Sequence, residues 1–185
     1  IGVVPARIEQ IPNAADCERF RPATAQERQQ CRERFEIPDS AETVIVCVGA
    51  ICDRKGQHLI ADALPHLRSR AHLLLVGPVR ETAMMGYIQE SKAARSGQVT
   101  WVDHITDVEQ AYFASDLFVL PSANEGMPNA MVEAMACGMP VLGSRISGIV
   151  DLITESDAGV FIERESTNIG NTVDRLISNR ELRKE

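Results

Sequence analysis

From residue 44 onward the chain alternates short β-branched or leucine-rich runs with longer stretches whose apolar residues recur at helical spacing. That alternation is the signature of parallel βαβ units. Val-Ile-Val-Cys-Val at 44–48 is continuously apolar, as a strand covered on both faces requires. Over 57–67, Leu59, Ile60, Ala63, Leu64 and Leu67 fall on one helical stripe. Further strands are expected at 73–76, 99–102 and 117–120. A polar helix over 81–95 separates the first two of these, and a short helix after Thr106-Asp107 precedes the third. Residues 128–137 read as a short Ala- and Met-rich helix opened by Pro128 and stopped by Gly138. A strand starts at Val141-Leu142, and after Gly148 come a helical turn, a weak strand at 160–162 and a last helix from about Thr167. The first forty residues add an extended piece at 8–11 and a helix over 24–35. The expectation is an α/β domain with a parallel sheet and no internal repeat.

With 185 residues the chain suits one compact domain better than two very small ones. Its 44% hydrophobic and 24% charged residues match ordinary globular domains and exclude collagen, coiled coil and wholesale disorder. The 19 Lys and Arg against 26 Asp and Glu leave a net charge of −7, so no global positive field is available to hold a nucleic-acid backbone. No apolar run approaches the roughly 18 residues that a spanning helix needs. The start at Ile1 and the charged run at 180–185, which resembles an interrupted helix, read as an excised piece of a longer protein. Five cysteines, an odd number with no Cys-x-x-Cys pair, argue against a disulfide scaffold or a zinc site and fit a reducing, cytoplasmic setting. His58, His66, His72 and His104 stand at spacings that suit no common ligand set, and no protein-held metal is expected.

Ligands of parallel sheets sit beyond the carboxyl ends of the strands, where strand order reverses. Three post-strand loops therefore matter most: 49–56, 103–107 and 121–128. The first, Gly49-Ala-Ile-Cys-Asp-Arg-Lys-Gly56, puts two glycines around adjacent cations between a strand and a helix. Taken alone it reads first as a tight turn with a solvated basic pair, and second as a cradle in which backbone amides, Arg54 and Lys55 hold a diphosphate. It matches neither the phosphate loop of NTPases nor the Gly-x-Gly-x-x-Gly fingerprint. In the last loop and the helix after it, Glu125 and Glu133 stand eight residues apart around a helix start. The free amides there are positively polarised, and a carboxylate can accept both hydrogen bonds of a vicinal diol. Glutamates near a helix start are also favourable without any ligand. Yet Glu133 lies in Ala-Met-Val-Glu-Ala-Met-Ala-Cys, where an unpaired carboxylate is costly, so it needs a partner or a ligand. Cys52, Cys137 and the methionines at 127, 131, 135 and 139 read as inert thiols and core filling.

Together these residues resemble a known family. Ile11-Pro-Asn13 with Asp16 and Phe20-Arg-Pro22, Val48-Gly49 with Arg54-Lys-Gly56, Leu74-Leu-Val-Gly77, and Ala114-Ser-Asp-Leu-Phe-Val-Leu-Pro-Ser122 are similar to retaining glycosyltransferases of family 4. So are Glu125-Gly-Met-Pro, Glu133-Ala-Met-Ala-Cys-Gly-Met-Pro-Val141 and Gly148-Ile-Val-Asp-Leu-Ile153, in order along nearly the whole chain. The resemblance implies a Rossmann-like three-layer domain with about six parallel strands, spanning 1–185. This would be the C-terminal, donor-binding half of a GT-B enzyme whose N-terminal acceptor domain is absent. It implies a UDP- or GDP-linked sugar as donor, retention of configuration, no cofactor or metal, and a glycan, lipid-linked or small-molecule acceptor. It also implies polysaccharide biosynthesis and room for peripheral membrane association of the full-length protein. Lys55 would pair with the diphosphate and Glu125 with the sugar hydroxyls, these two forming the catalytic pair, while Glu133 would hold the ribose. Gly49, Arg54 and the amides of Gly126, Met127 and Asn129 would line the phosphates and sugar, and His104 and Ile105 the base. One departure stands out: many relatives carry Arg directly after the glycine at 49, where this chain has Ala50, which leaves Arg54 as a substitute clamp. Three other readings remain: a nucleotide-sugar epimerase of the same fold, a non-catalytic sugar-nucleotide-binding module, and a nicotinamide dehydrogenase, the last opposed by the missing glycine fingerprint.

Overall fold

The computed structural model describes residues 13–156 and 159–179; the extended piece expected at 8–11 and the charged run at 180–185 lie outside the described residues. Six strands, β1 (Thr43–Val48), β2 (Ala71–Val76), β3 (Val99–Val102), β4 (Leu117–Leu120), β5 (Val141–Ser144) and β6 (Gly159–Ile162), form one sheet in the order β3-β2-β1-β4-β5-β6. All five pairings are parallel. Order therefore reverses between β1 and β4, and a crevice opens there beyond the strand ends.

The helices are α1 (Ala25–Arg34), α2 (Gln57–Ala63), α3 (Thr82–Glu90), α4 (Lys92–Arg95), α5 (Glu109–Phe113), α6 (Asn129–Ala136), α7 (Ser147–Ser156) and α8 (Ser166–Ser178). α2 packs with α3, α4 and α8. The crossovers β4-α6-β5 and β5-α7-β6 run the other way along the sheet, and the right-handed rule for parallel crossovers puts α6 and α7 on its opposite face. Because both faces are covered, β2 is buried at every residue and β1 at five of six. α1 shows no apolar stripe and is fixed by charge instead. Arg28 and Arg32 donate to the two carboxylate oxygens of Asp116 at 2.6 and 2.7 Å, and the backbone N–H of Val44 donates to the same group at 2.8 Å. A Thr24–Glu27 capping box starts the helix.

Every expected element from residue 24 onward is present, with three changes of extent. The helix expected over 57–67 tightens into a 3-10 turn, Leu64–His66, where Pro65 has no N–H to continue the ladder. The helix expected over 81–95 is two helices, because Ser91 adopts an extended conformation and its hydroxyl accepts from the Ala94 N–H to cap the second. The turn expected after Gly148 is the ten-residue helix α7.

Burial holds the His72 imidazole, on β2, well below its ordinary pKa of 6.5, at about 4; its Nε2 lies 2.9 Å from Thr100 Oγ1. Above pH 6.5 the ring is neutral folded and unfolded, and it adds no pH dependence. Between pH 6.5 and 4 the unfolded chain takes up a proton that the folded chain refuses, so stability falls by ~1 kcal/mol per pH unit. Thermal melts from pH 7.5 to 4.5 should show this slope in the wild type and a shallower one in His72→Gln; equal slopes would remove His72 as its source.

Candidate functional site

The loops after β1 and β4 meet at the reversal of strand order. Strand β1 ends at Val48, and Gly49 follows with φ +146°, a region that side chains disfavour. A Cβ at Gly49 would stand 3.3 Å from Lys55 Cε, so the bare backbone gives the lysine stem room to lie across it. The 3-10 turn Asp53–Lys55 then carries Lys55 back over the strand end. This turn is held by the Asp53 N–H donating to Glu81 at 3.1 Å and by Arg164 donating to the Asp53 carbonyl at 2.9 Å. Buried Gln57 donates to the Ala50 carbonyl at 2.9 Å.

Lys55 Nζ lies 2.7 Å from Glu125 Oε1. The same oxygen accepts from the hydroxyl of Ser122, which is completely buried, at 2.6 Å. The Lys55 and Glu125 side chains are only 14% and 10% exposed, so the pair sits largely out of water and is little screened. A lysine ammonium has three donors, and this contact uses one of them. Arg54 turns elsewhere: it donates to the Asn124 carbonyl at 2.6 Å, stays 3.5 Å from Glu125 and is half exposed. The Ala123 N–H closes the contact between loops by donating to the Arg54 carbonyl at 2.8 Å.

Beyond Glu125 the chain enters α6 with Pro128 at its N-cap and no capping side chain. The amides of Asn129 and Ala130 consequently have no acceptor among the described residues, which leaves a positively polarised helix start facing the crevice. Asn13 reaches this start from the other end of the chain, donating through Nδ2 to Asn129 Oδ1 at 2.7 Å and to the Met127 carbonyl at 3.3 Å. One turn into α6, Glu133 accepts from the hydroxyl of Tyr112 at 2.7 Å.

Between these parts lies a cleft of about 460 Å³. Gly49, Lys55, His104, Ile105, Glu125, Met127, Asn129 and Glu133 all line it, joined by Asn13, Ala130 and an apolar end of Val48, Val76, Pro78 and Val108. Arg54 and Gly126, two further residues of the sequence set, are not among its lining residues. Lys55 is the one Lys or Arg that lines it among the described residues. Trp101, on edge strand β3, donates its indole N–H to the carbonyl of Gly77 on the cleft wall at 3.0 Å and is 39% exposed.

Four supporting residues were absent from the sequence set. Asn13 is among the motif residues that carry the family resemblance, and Ser122 closes another of those motifs, so both had a sequence signal. The apolar surroundings of Glu133 called for a partner without naming Tyr112. Gln57 gave no signal as a polar residue on a helix start. The cysteines are all free, and burial pushes Cys47 and Cys137 up to about 12, where a thiol is neither nucleophile nor ligand. Among the described residues no three His, Cys, Asp or Glu side chains cluster as a metal site, and no helix is long and apolar enough to cross a membrane.

Comparison with known proteins identifies the family and the fold. The family described as glycosyl transferases group 1 matches residues 42–179. A GDP-mannose-dependent monoacylated alpha-(1-6)-phosphatidylinositol monomannoside mannosyltransferase of Corynebacterium glutamicum is 28% identical over 181 residues, covering 91% of this chain and 44% of that protein. A D-inositol 3-phosphate glycosyltransferase of Geodermatophilus obscurus is 28% identical over 195 aligned residues, 98% of this chain and 42% of its own length. The chain thus spans less than half of these relatives. Among solved structures, the C-terminal domain of LpcC, a group 1 family glycosyl transferase from Francisella tularensis, superposes with a TM-score of 0.78 at 25% identity, covering 92% of this chain and 91% of that one. Anabaena HepE in complex with UDP-glucose shares the fold at a TM-score of 0.82 and 23% identity, over 92% of this chain and 48% of its own.

Gly148, at the start of α7, lies so close to the Glu125 loop that a Cβ there would stand 1.6 Å from the Gly126 carbonyl oxygen and 2.5 Å from that of Glu125. Gly148→Ala must displace this loop, at a cost of about 1–3 kcal/mol. Its melting temperature should fall by roughly 3–10 °C, and an unchanged value would show that the loop yields freely.

Proposed function

Because the chain belongs to the glycosyl transferases group 1 family, we propose that it is the donor-binding domain, residues 1–185, of an enzyme that transfers a hexosyl group from a nucleotide diphosphate sugar with retention of configuration. The observation that carries this reading is the convergence of Lys55, Glu125, Glu133 and the uncapped start of α6 on one cleft at the reversal of strand order. The C. glutamicum relative is GDP-mannose-dependent and HepE was solved with UDP-glucose, which supports a GDP- or UDP-linked sugar as the ligand class.

In this reading the diphosphate lies between the ammonium of Lys55 and the amides of Asn129 and Ala130. Lys55 keeps Glu125 on one donor and has two left for phosphate oxygens. Glu125 spends Oε1 on Lys55 and Ser122 and offers its second oxygen to the sugar hydroxyls. Glu133 takes the ribose, and His104 and Ile105 border the base beside the apolar end of the cleft. As the glycosidic bond breaks, negative charge builds on the departing phosphate. A fixed cation and fixed helix amides meet that charge without reorganising, which is the arrangement that favours a transition state over a ground state. With Arg54 turned to Asn124, Lys55 carries the side-chain share of this task in the domain. The acceptor, a glycan or a lipid-linked sugar, would be held by an N-terminal domain preceding this one, in the polysaccharide biosynthesis of a reducing cytoplasm that suits five free cysteines. Full-length peripheral membrane association is compatible with such an acceptor.

Titration with UDP-, GDP- and ADP-sugars and with the bare nucleotide diphosphates, read by thermal shift, tests the reading. One nucleotide series should raise the melting temperature by several degrees at millimolar ligand. Lys55→Ala should abolish the shift for sugar donor and bare diphosphate alike. Glu125→Ala should spare the bare diphosphate and lose the added effect of the sugar. In an enzyme carrying both domains, Lys55→Ala should lower kcat/KM about 100-fold or more. A chain that none of these ligands stabilises would overturn the proposal.

A further inference from the structure

Two glutamates face the cleft, and a hydroxyl group buried beneath each of them commits one of its oxygens. For Glu133 that group is Tyr112, which is 1% exposed and belongs to α5, an element with no other part in the cleft floor. Its ring is wedged edge-on against Phe20, with centroids 6.0 Å apart, and tilted against Phe118 at 6.3 Å. The hydroxyl therefore has one place to go, and it meets Glu133 Oε2 at 2.7 Å. Oε1 has no hydrogen-bond partner among the described residues.

We propose that Tyr112 is the positioning residue of the ribose subsite: its hydroxyl fixes the rotamer of Glu133 and reserves Oε1 for the ribose diol. The inference rests on the reading of Glu133 given above. Three physical arguments support it. Glu133 stands on a helix that is apolar on most sides, so without Tyr112 its carboxylate would have to turn toward water to be satisfied. A carboxylate held through one oxygen by a rigid donor presents the other in a fixed direction, whereas a free glutamate loses rotamer entropy each time a ligand orders it. Finally, burial and the neighbouring Glu133 charge hold the Tyr112 hydroxyl far above its ordinary pKa, which favours the protonated, donating form.

A core tyrosine that merely fills space would serve equally well as phenylalanine, and this separates the two roles. The measurement is the affinity of UDP and GDP against their 2′-deoxy and 3′-deoxy analogues, on the wild type, Tyr112→Phe and Glu133→Gln. The wild type should prefer the ribonucleotide about tenfold, the worth of one hydrogen bond to a charged group. In Tyr112→Phe the preference should shrink to threefold or less while the deoxy analogues bind as before, and Glu133→Gln should do the same. Near-UV circular dichroism and the melting temperature verify that each variant is folded. If Tyr112→Phe folds and keeps the full wild-type preference, Tyr112 is packing only and the inference fails. If the wild type binds nucleotide diphosphate without preferring ribose, the assignment of Glu133 to the ribose fails, and the role of Tyr112 with it. If UDP, GDP and ADP all fail to bind, the nucleotide-sugar reading itself is overturned.

Discussion

The ion pair between Lys55 and Glu125 joins the loops after β1 and β4 at the point where strand order reverses. β1 sends its chain one way through β2 and β3, and β4 sends it the other way through β5 and β6. The crevice between the two post-strand loops would otherwise be an open seam. Breaking a pair this sheltered by deleting one partner strands the other charge, which in fully buried pairs costs about 3–5 kcal/mol. Two further contacts, Arg54 to Asn124 and Ala123 to Arg54, cross the same junction, and Ser122 steadies Glu125 within its own loop. The β1–β4 pairing holds the sheet together, and the ion pair above it fixes the mouth of the cleft.

The sequence made the strands legible because a parallel sheet covered on both sides demands continuous apolar runs, and Val44 to Val48 or Leu73 to Val76 have no other stable use. It made Lys55, Glu125 and Glu133 legible because charged residues next to such runs must be either solvated or employed. Direction was harder to read. Arg54 and Lys55 are neighbours in a 3-10 turn, which points adjacent side chains roughly a third of a turn apart. One therefore enters the cleft, and the other crosses to the Asn124 carbonyl. Linear order cannot tell which of the two will do so. Long-range partners were equally hidden: Tyr112 precedes Glu133 by twenty-one residues, and Asn13 lies more than a hundred residues from Asn129. Helix ends failed where a single hydroxyl decided the matter, as at Ser91, whose side chain ends one helix and begins another.

The backbone at Ala50 is held by the helix that follows it. The backbone at that position is occupied from behind by Gln57, whose amide donates to the Ala50 carbonyl. This bond ties the loop after β1 to the start of α2. If the cleft takes a diphosphate as proposed, its charge meets a cation already held by Glu125 and backbone dipoles, which are fixed in place and carry no side-chain entropy to lose.

The placement of Trp101 has a practical consequence. It is the only tryptophan in the sequence, and its indole is tied to a carbonyl on the cleft wall while its edge remains open to water. Emission from such a ring responds to changes in local polarity and hydration. The molecule therefore carries a single intrinsic fluorophore one hydrogen bond behind the cleft wall, where a rearrangement at Gly77 would alter the surroundings of the ring without a dye attached or a residue altered.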